Sequence, residues 1–198
     1  HHWLSLLEHP RNRGKGAAVC DGLRVAHAHG YSHALQIDAD GQHELNDLPA
    51  FLAAANKAPG KIITGRRTSI NAPSSRKYGR MLTDGLVWLE MLSTAVHDSM
   101  CGYRVYPLRE TAAFLSRHQV GQRMDFDTDM LVRLYWYGLD VEEVNTTVVY
   151  ADDIPSHFRM FRDNARMTKM HIMLVLGMVL RIPKLLTRKA LRVRNAAA

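Results

Sequence analysis

Short apolar runs alternate with helix-forming segments through the first half of the chain. Three runs have the length and composition of strands, at residues 3–7, 33–37 and 61–65. Residues 17–29 and about 46–57 carry helix formers, and each segment is followed by a glycine or proline break. Strands that alternate with helices are typical of sheets flanked by helices. The order predicts an α/β fold with a mixed, mainly parallel sheet.

Two carboxylates, Asp38 and Asp40, follow the second predicted strand. Ligands of open α/β sheets bind beyond the carboxyl ends of the strands, and residues two apart in an extended segment point to the same side. Asp38 and Asp40 can therefore converge on one cation, with the side-chain carbonyl of Gln42 as a third oxygen ligand. Hard oxygen ligands suit Mg²⁺ or Mn²⁺. A solvated loop with an Asx turn or a helix cap is the alternative for this spacing.

Three other clusters carry polar chemistry. The turn Asn12-Arg13-Gly14-Lys15-Gly16 leads into a helix, where backbone amides and Lys15 can hold an anion, although a simple helix-start loop has the same pattern. In residues 97–104, Arg104 either pairs with Asp98 in a tight turn or holds a phosphate of an acceptor. Asp125, Asp127 and Asp129 open a helix, where acidic residues favour the helix dipole and cap its first turn.

The positive charge is concentrated near the C-terminus. The net charge is +7, yet residues 157–194 alone carry ten Lys and Arg and one Asp, so the rest of the chain is slightly acidic. The apolar stretch 172–180 is too short to span a bilayer. One interpretation is an amphipathic helix on an anionic membrane surface, and the other is a core helix followed by a solvated basic tail. Because the body lacks a basic face, no nucleic acid partner is expected.

Taken in order, these segments resemble the family 2 glycosyltransferases, and most of all the dolichyl- and polyprenyl-phosphate sugar transferases. The resemblance rests on Asn12-x-Gly14-Lys15-Gly16-Ala17-Ala18-Val19, Asp38-Ala39-Asp40-Gly41-Gln42-His43, Ile63-x-Gly65-x-Arg67 and Asp98-x-x-x-Gly102-Tyr103-Arg104. The acid-led helix at 126–129 and Tyr150 followed by Ser156-x-Phe158 extend it. The motifs cover about residues 12–158, and each is weak alone while the ordered set is specific.

The resemblance implies an A-type glycosyltransferase fold and an inverting transfer of a sugar from a nucleotide-sugar donor to a lipid or polyprenyl-phosphate acceptor, assisted by Mg²⁺ or Mn²⁺. By position, Asp38, Asp40 and Gln42 would hold the cation and donor diphosphate, with Asn12 and Lys15 also on the donor side. Arg104, and after it Arg76 or Arg80, would face the acceptor phosphate. Asp98 would be the base if the acceptor were a hydroxyl group.

The resemblance also implies a domain organisation and a location. We expect a partial catalytic domain at 1–156, without the family's first strand–helix unit, and an amphipathic helix with a basic tail at 157–198 on an anionic membrane surface. Two cysteines in no metal or redox spacing indicate a reducing compartment, so the expected location is cytoplasmic, at the inner face of the cell membrane. A truncated, non-catalytic membrane-surface module and a nucleotidyltransferase are the alternative functions.

Overall fold

The protein is described from a computed structural model, which covers residues 4–69, 74–148 and 160–196. At its centre is a four-stranded mixed sheet in the order β1-β3-β2-β4. The strands are β1 (His33–Gln36), β2 (Lys61–Ser69), β3 (Arg104–Pro107) and β4 (Asp140–Val148). β3 runs antiparallel to both of its neighbours, whereas β2 and β4 are parallel. Three of the four strands therefore run in one direction, as the alternation of strands and helices predicts.

Seven α-helices are described around this sheet. They are α1 (Lys15–Ala28), α2 (Leu48–Lys57), α3 (Ser74–Met91), α4 (Leu108–Leu115), α5 (Phe126–Tyr137), α6 (Met160–Val179) and α7 (Ile182–Ala196). A short 3-10 turn at Leu45–Asp47 precedes α2. Glycine ends α5 at Gly138, whose φ of 138° lies in a region that side chains disfavour. The predicted bounds of α5 match those found.

The sheet is covered on both faces, because successive residues of a strand point to opposite sides. Ile62 packs into the larger core with α1, α3, α4, α5 and α6, whereas Ile63 packs on the other face against Phe51 of α2. α6 contributes Met167, Met170, Leu174 and Met178 to the larger core. Four buried side chains of this size stabilise by about 6–12 kcal/mol before chain entropy is subtracted, so α6 is part of the folded body.

Two expectations about the chain ends differ from the structure. Residues 4–7, predicted as part of a strand, have no strand conformation, and Leu4, Leu6 and Leu7 are at least half exposed. A strand needs a partner, and no described strand pairs with this segment. The basic tail, expected to follow a single helix, is itself helix α7, with Pro183 in its first turn where a missing N–H costs little. The predicted boundary at 156/157 lies outside the described residues.

Candidate active site

Lys15 joins two carboxylates from distant parts of the sequence. Lys15 is the first residue of α1, Asp38 follows β1, and Asp127 lies in the first turn of α5. The Lys15 Nζ lies 2.8 Å from the Asp38 carboxylate and 2.7 Å from Oδ2 of Asp127. Burial opposes the charge, but the Asp127 and Asp38 carboxylates outweigh it and raise the pKa of Lys15 above its ordinary value. At neutral pH the ammonium group therefore compensates both carboxylates.

The start of α1 is fixed by the predicted glycine turn. The Oδ1 of Asn12 accepts a hydrogen bond from the Gly14 amide at 2.9 Å, and the Gly16 amide donates to the Gln122 carbonyl at 2.9 Å. Gly14 has a φ of 99°, and a Cβ there would overlap the Gln122 carbonyl oxygen, so only glycine fits. Asn12 thus closes the turn that positions Lys15, and its contact with a donor stays a prediction.

A buried hydrogen-bond network holds the Asp127 carboxylate in place. Its Oδ1 accepts from Gln36 Nε2 at 3.0 Å, and Gln36 Oε1 accepts from the Tyr106 hydroxyl at 3.1 Å. Arg104 donates to the Asp127 backbone carbonyl at 2.7 Å and to the Tyr106 hydroxyl at 3.4 Å. Because all four residues lie in β1, β3 or the start of α5, the network fixes the Asp127 carboxylate relative to the sheet.

The structure of the Asp38–Gln42 loop has features of both interpretations of its spacing, the cation site and the Asx turn. Asp40 is exposed, and its Oδ1 accepts from the Gln42 amide at 3.1 Å, which is an Asx turn. Gly41, with a φ of 72°, turns the chain. Since the extended conformation does not continue to Gln42, its place as a third ligand is not fixed by strand geometry. Among the residues that the structure describes, no three His, Cys, Asp or Glu side chains are arranged to hold a metal ion.

The residues at this loop nevertheless fit a divalent cation that is completed by phosphate oxygens. Mg²⁺ and Mn²⁺ need only one or two protein carboxylates when substrate phosphates and water supply the other ligands. Asp38 sits against the Gly102 backbone, where a Cβ would overlap its carboxylate. The Nδ1 of His43 is buried without a hydrogen-bond partner among the described residues, and burial lowers the pKa of this histidine. The site therefore has unsatisfied polar capacity.

Arg104 does not face an acceptor in this structure. Its side chain has no exposed surface, and its remaining donors reach Thr64 Oγ1 at 3.2 Å and the Ser99 and Cys101 carbonyls at 3.1 Å. The guanidinium group is therefore occupied in holding the backbone around the site. The prediction that Arg104 contacts the acceptor phosphate conflicts with this burial, and we assign Arg104 a supporting role.

Asp98 is also engaged by arginine. The Arg67 side chain donates to both carboxylate oxygens at 2.7 Å, and Arg80 Nη1 lies 3.9 Å from Oδ2. Asp98 is 1% exposed, so neither oxygen is open in the way that a general base requires. Arg80 lies at the edge of this cluster and stays a candidate for the acceptor phosphate. The side chain of Arg76 and the segment that contains Tyr150, Ser156 and Phe158 lie outside the described part of the chain.

Comparison with known proteins identifies the family. The sequence model of glycosyl transferase family 2 matches residues 4–118, more than half of the chain. The chain belongs to glycosyl transferase family 2. This family assignment confirms the resemblance drawn from the ordered motifs and favours a glycosyltransferase over a nucleotidyltransferase.

Several curated relatives are named as dolichyl-phosphate or undecaprenyl-phosphate sugar transferases. A UDP-N-acetylglucosamine–dolichyl-phosphate N-acetylglucosaminyltransferase of Methanococcus voltae is 26% identical over 74% of this chain and 59% of its own length. A dolichyl-phosphate beta-glucosyltransferase of Trichomonas vaginalis is 30% identical over 73% of this chain and 44% of its own. An undecaprenyl-phosphate mannosyltransferase of Micrococcus luteus is 30% identical, with 74% and 61% covered. The chain thus spans roughly half the length of these relatives.

Solved structures confirm the predicted A-type glycosyltransferase fold. Glucosyl-3-phosphoglycerate synthase from Mycobacterium tuberculosis, in complex with UDP, superposes with a TM-score of 0.56 at 16% identity, covering 86% of this chain and 56% of the other. The same enzyme with Mn²⁺, UDP and glucosyl-3-phosphoglycerate gives a TM-score of 0.56 at 15% identity. At these identities the similarity shows the fold alone.

Sequence reasoning missed Asp127 as a site residue of this family 2 domain. The acidic series at the start of α5 is typical of capping, and two of its members do serve the backbone: Asp125 accepts from the Arg123 amide and Asp129 from the Gly121 amide. The Asp127 carboxylate instead forms an ion pair with Lys15. The available signal was Gln36, a polar residue beside the apolar Leu35 and Ile37, because a buried amide needs a polar partner.

Proposed function

We propose that this chain is the catalytic part of a glycosyltransferase that moves a sugar from a nucleotide-sugar donor to a polyprenyl-phosphate acceptor. The observation that carries the proposal is the Asp38 carboxylate, held at the end of β1 beside Lys15 and Asp127. In a family 2 chain whose relatives use dolichyl and undecaprenyl phosphates, this end of the sheet is the place for a donor diphosphate.

The roles of the residues follow from their charges. Asp38 and Asp40, with Gln42, would hold a Mg²⁺ or Mn²⁺ ion, which would neutralise charge on the leaving diphosphate. Lys15 adds a positive charge on the same side of the site. A phosphate monoester is already anionic near pH 7, so an acceptor of this class needs no strong base, in agreement with the arginine-bound state of Asp98. Direct attack on the sugar implies inversion at the anomeric carbon.

Asp40→Asn tests the proposal. The introduced asparagine keeps a side-chain oxygen that can accept from the Gln42 amide, so the turn is kept while the charge is lost. We expect sugar transfer from UDP- or GDP-sugars to a polyprenyl phosphate to fall at least about 100-fold, in line with loss of an electrostatic catalytic group. Mn²⁺ binding in the presence of UDP or GDP, followed by electron paramagnetic resonance, should weaken in parallel. Glu110→Gln, on α4, is the control.

Equal transfer by Asp40→Asn and the parent chain would refute the metal-assisted mechanism. No transfer by the parent with any donor, together with normal membrane binding, would favour the non-catalytic membrane module. Proton NMR of the product, which distinguishes α- from β-linked sugar phosphates, checks the inversion.

The outer face of α6 supports the proposal that the protein acts at a membrane surface. Opposite the core-facing side chains, large apolar residues that are at least half exposed form a row along the helix and just past its end: Ile172, Met173, Leu176, Val179 and Leu180. No single described helix is long and apolar enough to cross a bilayer, although α6 and α7 together, bent by 74°, pass on length and composition. An apolar helix face next to basic residues can bind at the boundary between the headgroups and acyl chains of an anionic membrane. The proposed location is therefore the inner face of the cell membrane.

Part of the C-terminal charge is used within the protein. Arg188 donates to the Tyr135, Gly138 and Leu139 carbonyls, and Lys184 donates to the Trp136 carbonyl at 3.1 Å. Fewer cations than the sequence suggests are therefore free for lipids, so apolar contact should dominate binding. Leu176→Glu with Val179→Glu should reduce flotation with anionic liposomes at least about tenfold. Met81→Glu with Leu82→Glu, exposed on α3, is the matched control, and equal loss in both pairs would refute the membrane face.

A further inference from the structure

A basic groove lies beside the candidate active site, between the turn before α1, the loop between α4 and α5, and α6. Its main cavity has a volume of about 610 Å³. We define the basic groove by the six cationic residues that line it: Arg11, Arg13, Arg123, Arg133, Arg166 and Lys169. Two carboxylates, those of Asp125 and Asp129, line the same cavity. The lining has six cations and two carboxylates, and the carboxylates of Asp21 and Asp163, which pair with Arg13 and Arg166, leave the groove with a net positive charge of about two.

Three of these cations have partners, and the other three have none among the described residues. Arg13 pairs with Asp21 at 2.9 Å, Arg133 with Asp129 at 2.5 Å and Arg166 with Asp163 at 3.0 Å. The other three, Arg11, Arg123 and Lys169, make no ion pair or side-chain hydrogen bond with any residue in the described ranges. Like charges gathered around one cavity repel one another unless an anion lies between them.

The groove opens towards the candidate active site. A second cavity, of about 470 Å³, is lined by Lys15, Met124 and Arg162 and shares Asn12, Arg123 and Arg166 with the first. The Asp163 carboxylate also lines the second cavity. Because Lys15 contacts both Asp38 and Asp127, this cavity adjoins the candidate active site and connects it with the basic groove.

The far side of the groove is apolar. Met170 and Met173 of α6 line the main cavity. Met170 belongs to the core, whereas Met173 is 52% exposed and lies in the apolar outer face of α6. One ligand can therefore place a charged group among the arginines and an apolar chain along the outer face of α6. Methionine suits such a chain because its unbranched side chain adapts to irregular apolar shapes.

We propose that the basic groove binds the phosphate of a lipid phosphate monoester and leads it from the outer face of α6 to the site at Lys15. A monoester carries between one and two negative charges near pH 7 and three acceptor oxygens, which matches the three cations that have no ion pair among the described residues better than the single charge of a phosphodiester does. This inference rests on the proposed function only for the identity of the lipid, since the groove and its charges are independent of the reaction.

Calorimetric titration of the 198-residue chain with geranyl phosphate, below its micellar concentration, tests the proposal. Geraniol, inorganic phosphate and a short-chain phosphatidylglycerol are the comparison probes. Arg123→Gln with Lys169→Gln removes two cations that make no ion pair with other described residues. We expect the Kd for geranyl phosphate to rise at least about 30-fold, as loss of charge-assisted hydrogen bonds implies. The matched control is Arg109→Gln with Lys57→Gln, both exposed and outside the groove, which should leave the Kd within about twofold.

Each other outcome overturns the proposal or its lipid class. Absence of geranyl phosphate binding by the parent chain, or unchanged affinity in the groove variant, would refute the site. Loss of binding in Arg80→Gln with no loss in the groove variant would place the phosphate near Asp98 instead. Equal affinity for inorganic phosphate or geraniol, or tighter binding of phosphatidylglycerol, would refute a lipid monoester. A parent chain that binds geranyl phosphate but transfers no sugar from any donor would refute the proposed function and leave this site standing.

Discussion

Lys15→Met is the sharpest test of how the candidate site is held together. The substitution removes the ammonium group but keeps a side chain of similar shape. Both the Asp38 and Asp127 carboxylates lie within 2.8 Å of the Lys15 Nζ, so removing it leaves two like charges close together. At about 5 Å and an effective dielectric constant of about 20, their repulsion is about 3 kcal/mol. We therefore expect the free energy of unfolding to fall by about 3 kcal/mol.

Urea unfolding, followed by circular dichroism at pH 7, measures this loss. Lys61→Met is the control, because Lys61 pairs with Glu142 at 2.9 Å on the surface, where both side chains are about a third exposed or more. A surface pair of this kind contributes at most about 1 kcal/mol. If Lys15→Met costs no more than Lys61→Met, Lys15 does not hold the two carboxylates together and the reasoning fails.

The pH dependence of the free energy of unfolding gives a second test of Lys15→Met. Although burial opposes it, the carboxylates raise the pKa of Lys15 above 10.5, so the stabilisation is fully present below pH 10.5 and is lost as the pH rises through the folded-state pKa. The gap in stability between the parent and Lys15→Met should therefore persist at neutral pH and close only in strongly alkaline solution. A gap that closes near pH 8 would contradict the assignment.

Two further substitutions test the surroundings of the site, and a third tests the buried contact between Glu90 and His171 of α6. Gly102→Ala places a methyl group against the Asp38 carboxylate, so Mn²⁺ affinity in the presence of UDP or GDP should fall about tenfold in a paramagnetic resonance titration, and unchanged affinity would show that Asp38 is not a ligand. Arg104→Met leaves buried carbonyl groups without donors, so the free energy of unfolding measured in urea should fall by about 3–5 kcal/mol. Normal stability together with weakened acceptor binding would instead support the predicted contact of Arg104 with the acceptor phosphate. Burial raises the pKa of the Glu90 carboxyl group above its ordinary value of 4.5. The contribution of Glu90 to the free energy of unfolding therefore falls as the pH rises from 4.5 through the pKa of the folded state. In urea unfolding, Glu90→Gln should make the free energy of unfolding depend less on pH over this range.

Local signals in the sequence were enough for the elements whose ends are set by nearby residues. The glycine after Tyr137 marks the end of α5 as the structure has it, and the glycine turn lies at the start of α1, which begins at Lys15, two residues before the predicted start. The carboxylates Asp38 and Asp40 follow a strand that was predicted and is found as β1, and their role as ligands stays a prediction. In each case the physical cause lies within a few residues of the feature, so no tertiary contact was needed to find it.

The features that sequence reasoning missed depend on partners far away in the chain. Lys15 and Asp127 are 112 residues apart, and their contact exists only because α1 and α5 begin at the same edge of the sheet. Arg104 has the residue type of a phosphate ligand, but its burial follows from the packing of β3 between β1 and β2. Residues 4–7 have strand composition, yet a strand forms only beside another strand. Residue type indicates possible chemistry, and the fold decides which possibility is used.

The compensation of Asp38 by Lys15 bears on how a cation would bind. A closed metal cage gathers several protein ligands, whereas this site offers Asp38 already paired with an ammonium group and an exposed Asp40 in its own turn. A cation that takes Asp38 from Lys15 gains little unless the freed ammonium finds another anion, and a donor diphosphate provides one next to the cation. The arrangement therefore suits a cation that arrives with the diphosphate, which is the chemistry expected of a nucleotide-sugar site and the reason that Mn²⁺ alone should bind weakly.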